Sequence, residues 1–180
     1  MTTLLAESTG QLTIAIQDSR FDGSIDELAF RSAAEIVESG ETLIVIDAGH
    51  GFDPSRMTQS ARFGAIDPTN LMKRLHILRA PSALDLEEAI LYRLEPLFER
   101  LNTRHVFIAN PLHTLHDSAI ATRDAARILG KVKSKLEELA ENGAQIVVLC
   151  RKDDDAHGTR SHFLASLRAS ADRVYCRSNT

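Results

Sequence analysis

The chain has 180 residues, 43% of them hydrophobic and 26% charged, with a net charge of −4. That balance suits a globular domain with a real core, and it argues against holding DNA through bulk positive charge. No internal repeat, low-complexity segment or linker interrupts it, so residues 1–180 read as a single domain. Leu12 to Ile16 reads as a first strand and Ser24 to Ser39 as a helix. Ser24 and Glu27 form a capping box there, and Gly40 ends the helix. Leu43 to Asp47 is continuous and β-branched, as a strand covered on both faces should be.

Asp53-Pro54 and Asp67-Pro68 each pair an N-cap with a proline at the first helical position, so two short helices start there. Leu75 to Arg79 is a third strand. Leu86, Ile90, Leu94, Leu97 and Leu101 are spaced as a helix that Pro96 should kink or divide. His105 to Ala109 is another strand. Ala125, Ile128, Val132, Leu136 and Leu139 make one helical stripe that Asn142-Gly143 stops. Gln145 to Cys150 and Arg173 to Cys176 complete the strands. Strands separated by helices along the whole length imply an α/β fold of three layers, a parallel sheet with helices on both faces.

Cys150 and Cys176 end apolar runs and read as reduced, buried thiols of a cytoplasmic protein. The start, Met1 to Glu7, has neither a basic cluster nor an apolar stretch, so no secretory signal is expected. No apolar run approaches the roughly 20 residues that span a bilayer.

Leu43 to Arg56 reads as a buried strand, a loop and a new helix. The segment Ile46-Asp47 followed by Phe52-Asp53-Pro54-Ser55-Arg56 resembles the second-strand region of RecA/RadA-type recombination ATPases, where I-D precedes F-x-P-x-R. Leu78-Arg79-Ala80 resembles the A-R-A element of those proteins, and Arg173 to Arg177 resembles their R-V-Y-L-R ending. The resemblance covers residues 10–177. It implies a RecA-like P-loop NTPase fold in which the strands ending near Asp47, Asn110 and Cys150 are neighbours.

The same resemblance exposes three losses and one further departure. The phosphate loop should lie between Ile16 and Ser24, where G-x-x-x-x-G-K-[ST] cradles phosphates with amides, a lysine and a hydroxyl. In one register, with Gly23 as the loop glycine, Ser24 stands at the lysine position and Ile25 at the hydroxyl. In the other, Gly23 stands at the lysine position. Asp18 and Asp22 add negative charge, and only Arg20 offers a compensating cation. After Ile46-Asp47, Gly49 stands where the resemblance places a water-activating glutamate, and glycine cannot take a proton. The fourth strand runs into Asn110 where a magnesium-binding aspartate is implied. The sensor strand leads to Arg151 and Lys152 instead of a glutamine. The expectation is therefore a chain that does not hydrolyse ATP and does not hold it tightly.

Asp47, Gly49, His50, Asn110 and Arg151 then form the former catalytic edge, with Phe52 and Arg56 shaping it, and Arg151 and Lys152 face a partner or an anion. His50, His113, His116 and His157 all follow strand ends and offer a metal-site alternative, beside the simpler reading of surface histidines. His76, His105 and His162 belong to strand or helix surfaces. Asp153-Asp154-Asp155 reads as a solvated loop. Arg151, Lys152, Arg160 and Arg168 flank it, and Phe163 is the one aromatic available there for base stacking, so DNA contact is weakly supported. RecA-like cores associate side by side, so the expected partners are a RecA-type ATPase or a second copy. A nucleotide sensor acting through Arg20 and a metal enzyme are the competing readings.

Overall fold

The computed structural model describes residues 10–17, 33–49, 52, 55, 67–152 and 158–176. Six strands form one parallel sheet: β1 (Gln11–Gln17), β2 (Leu43–Asp47), β3 (Leu75–Arg79), β4 (His105–Ala109), β5 (Gln145–Arg151) and β6 (Arg173–Cys176). Their order across the sheet is β3-β2-β4-β5-β1-β6. All six expected strands are present, within a residue of their expected bounds.

This order fixes where the helices lie. The connections β1 to β2 and β2 to β3 run toward the β3 edge, whereas the later ones run toward the β6 edge. Right-handed crossovers leaving in opposite directions put their helices on opposite faces. Helical residues 33–39 (α1) and Pro68–Lys73 (α2) accordingly cover one face. Ala83–Glu88 (α3), Leu94–Leu101 (α4), Pro111–Leu115 (α5), Thr122–Glu141 (α6) and His162–Ala169 (α7) belong to the other.

The core divides the same way. Leu43 and Val45 pack with Ile36, Val37 and Leu71, while Ile44 and Ile46 pack with Leu86, Ile90, Ile128 and Leu136 on the opposite side. Alternate residues of one strand thus feed two cores, which is why β2 is apolar at every position before Asp47.

Gly40 ends α1 with φ +88, and the Gly40 and Glu41 amides bond back to the Val37 and Ile36 carbonyls. Asp67 caps α2 by accepting the Thr69 amide at 3.0 Å, with Pro68 first in the helix. The capping box at Ser24 and the helix start at Asp53-Pro54 lie outside the described residues.

The division expected at Pro96 occurs earlier. Residues Ala89–Arg93 form a π turn between α3 and α4, and Pro96 sits in the first turn of α4. A proline ring collides with the carbonyl four residues before it, here that of Tyr92, and gives it no N–H. The widened turn absorbs that mismatch. A capping box formed by Ser82 and Asp85, which the sequence spacing does not single out, starts α3.

One cysteine expectation needs correcting. Cys150 is buried, but Cys176 is exposed because β6 is an edge strand. Both pair in register with Ile16 from opposite sides. That separates them by two strand spacings, roughly 9–10 Å, beyond disulfide reach. Among the described residues no helix is long and apolar enough to cross a membrane.

Candidate functional site

β2 and β4 are neighbours, yet their onward connections leave to opposite faces. A parallel sheet opens a crevice beyond its carboxyl ends at such a point, and ligands collect there. Asp47, Ala48 and Gly49 form one wall of this crevice and Ala109 and Asn110 the other. β5 lies next to β4, so the strands that end near Asp47, Asn110 and Cys150 are consecutive in the sheet. The backbone ladder continues to the rim: the Ala48 amide bonds to the Ala109 carbonyl at 3.0 Å, and the Asn110 amide to that of Leu149 at 2.9 Å.

Asn110 leaves the strand in the left-handed region, φ 52 and ψ 48, and Pro111 begins α5 directly after it. Asparagine tolerates this conformation better than other side chains. Its side chain also fills the crevice. A Cβ built on Gly49 would stand 2.7 Å from Asn110 Cβ and 3.1 Å from its Nδ2. Glycine is required at position 49 by this approach, and a glutamate there has no room unless Asn110 moves.

Asp47 is 1% exposed. Its Oδ2 accepts from the Arg79 guanidinium across the β2–β3 pair, while its Oδ1 is buried and has no hydrogen bond among the described residues. Asn110 Oδ1 and Gln17 Oε1, at the ends of β4 and β1, are likewise buried without partners among the described residues. Among the described residues, exposed cations at this rim include Arg79, at the end of β3, and Arg151, paired in register with Gln17. Arg79 appeared in the sequence only as part of a motif; its role as counter-ion follows from the cross-strand register Asp47↔Arg79.

Other expected site residues fare differently. Asp18, Arg20, Asp22, Gly23, Ser24, Ile25, His50, Arg56 and His157 lie outside the described residues, as do Asp153, Asp154 and Asp155. Phe52 is a core residue packed with Ile36 and Leu71, so it supports the crevice from below and does not line it. His113 is exposed on α5, whereas His116 stacks on Phe163, ring centroids 5.7 Å apart. Among the described residues no group of three or more His, Cys, Asp or Glu side chains is placed to hold a metal.

Two expectations about the basic flank are corrected. Phe163 is fully buried and offers no face to a base, and Arg160 is not a surface cation but a buried one. Arg151, Lys152 and Arg168 are exposed.

Of the remaining histidines, His162 is exposed, while His76 and His105 are half-buried. Burial pushes the pKa of both below the ordinary 6.5; Arg100 and Arg93 add to this at His76, and Glu41 opposes it at His105. Both stand well away from the crevice, His105 at the amino-terminal start of β4. A cavity of about 300 Å³ also opens at that end, lined by Glu137, Glu141 and Asp172 among others. Its Asp172 already accepts the Leu12 amide at 2.7 Å.

No protein-family model matches this chain, and no curated protein matches it.

Proposed function

We propose that the protein is a non-catalytic RecA/RadA-like paralogue, an accessory or regulatory subunit of a DNA recombination or repair assembly that works through protein contacts. The packing of Gly49 on Asn110 carries this reading. In the resemblance these two positions hold the water-activating glutamate and the magnesium-binding aspartate. Here each replacement accommodates the other in one contact, so both losses belong to a single packed arrangement.

Two further features support the reading. The adjacency of β2, β4 and β5 is what a RecA-like core implies. The buried carboxylate of Asp47 at the end of β2 does not favour a triphosphate, whose transfer needs cations and N–H donors aimed at it. A frame without its chemistry can still occupy a position beside an active copy, recruit a partner or cap a filament.

Purified protein is expected to show no ATP turnover and no ATP or ADP binding at micromolar nucleotide. Turnover that Ser24→Ala or Asn110→Ala abolishes would overturn the reading, and binding without turnover would replace it with that of a nucleotide sensor. Recovery from a native lysate is expected to bring down an intact RecA-type ATPase. Isolation of the chain alone counts against an accessory role.

A further inference from the structure

Arg160 ends the 3-10 turn Gly158–Arg160 that precedes α7, and it is only 8% exposed. A guanidinium stays charged in proteins and carries five donors in a rigid fork, so burying one requires acceptors on several sides. All the partners seen here come from one short stretch. Nη1 donates to the carbonyls of Leu115 at 2.7 Å and Asp117 at 2.8 Å. Nη2 donates to the Ile120 carbonyl, and Nε donates to Thr122 Oγ1 at 3.3 Å. Among the described residues no carboxylate lies within ion-pairing distance of it.

Leu115 is the last residue of α5 and Thr122 the first of α6, so one side chain spans the whole connection between them. A second contact reaches the same place from α7: His116, at the C-cap of α5, stacks on Phe163. The carboxyl end of α5 is therefore held at two points, from α7 and from the turn before it. Its other end is Asn110. A five-residue helix is about 7.5 Å long, too short to absorb a displacement between its ends.

We infer that Arg160 is a positioning residue for the crevice. By locking α5 to the Gly158–Arg160 turn and the helix α7 after it, Arg160 makes these elements move as one body, and it seats Asn110 against Gly49 from behind. This inference goes beyond the accessory-subunit reading and does not depend on it, because it concerns only what sets the position of Asn110.

Two variants of the full chain test it by amide NMR and hydrogen exchange. Arg160→Met removes every donor, and Arg160→Lys keeps the charge but cannot reproduce the fork. In both, the His116 amide, bonded to the Leu112 carbonyl at 2.8 Å, is expected to exchange about tenfold faster or more. The amides of Asn110 and Gly49 should shift in resonance, while those of Leu75 to Arg79 in β3 stay in place. Shifts confined to residues 115–122 would overturn the inference and leave Arg160 as a loop staple. Uniform acceleration across all strands would overturn it too, by showing a general loss of stability. If Arg160→Met fails to fold, Arg160→Lys alone decides between these outcomes.

Discussion

At the amino-terminal end of the sheet, polar groups find partners within the fold. Asp172 accepts the Leu12 amide, Thr103 Oγ1 donates to the Thr42 carbonyl and accepts the His105 amide, and the Gln145 amide bonds to the Arg104 carbonyl at 2.8 Å. Among the described residues the exception is His105 Nδ1, which is buried without a hydrogen bond. The carboxyl end differs: among the described residues, three buried side-chain oxygens there lack partners, and a carboxylate is buried beneath a half-exposed arginine. A buried acceptor left unmatched costs about 1–3 kcal/mol. Bearing that cost repeatedly at one end, and scarcely at the other, separates the end that holds the sheet together from the end shaped for something else.

The sharpest way to break this contrast is to remove the cation above Asp47. Arg79→Met leaves a buried carboxylate without a counter-ion and is expected to lose about 2–4 kcal/mol in a denaturant melt, somewhat below the ~3–5 kcal/mol typical of fully buried pairs because Arg79 is half in water. Adding Asp47→Asn should restore part of that loss. If the double variant is as unstable as the single one, the pair is not what sets the stability of this end.

A smaller effect is expected at the facing wall. Gly49→Ala forces a Cβ onto Asn110 and should cost about 1–3 kcal/mol, the usual range for overpacking. The same change in an Asn110→Gly background should be nearly neutral. Additivity between the two would show that they do not touch.

The smallest effect lies at the amino-terminal end and depends on pH. The pKa of His105 is lowered by burial, so the folded chain favours the neutral ring. Stability from this source is fully present above 6.5, the unfolded value, and is lost as pH falls through the lower folded value. Melting temperatures measured from pH 8 down to about pH 5 should fall in the native chain and fall less in His105→Gln. An unchanged profile would remove His105 from the account.

The sheet was readable in the sequence because parallel strands buried on both faces announce themselves as continuous apolar runs, as Leu43 to Asp47 does. Helix ends with local chemistry, Asp67-Pro68 and Gly40, were readable for a similar reason. What escaped was non-local. The burial of Arg160 depends on carbonyls some forty positions away, which leave no trace in spacing. Phe52 belongs to the core because α1 and α2 close over it, not because of its neighbours in the chain. The exposure of Cys176 follows from strand order alone. Within the candidate site, the losses at Gly49 and Asn110 were visible one by one, but their contact was not, since it needs the register of β2 against β4.

The strand order has one more consequence. β1 is flanked only by β5 and β6, and the Leu12 amide bonds to a carboxylate 160 positions further along. A ribosome therefore releases this segment long before either neighbour exists. Contacts so distant in sequence slow assembly, because a large loop must close before any of them forms. Until then the apolar stretch from Leu12 to Ile16 stays available to the wrong partners, and the nascent polypeptide should call on chaperones mainly around this stretch.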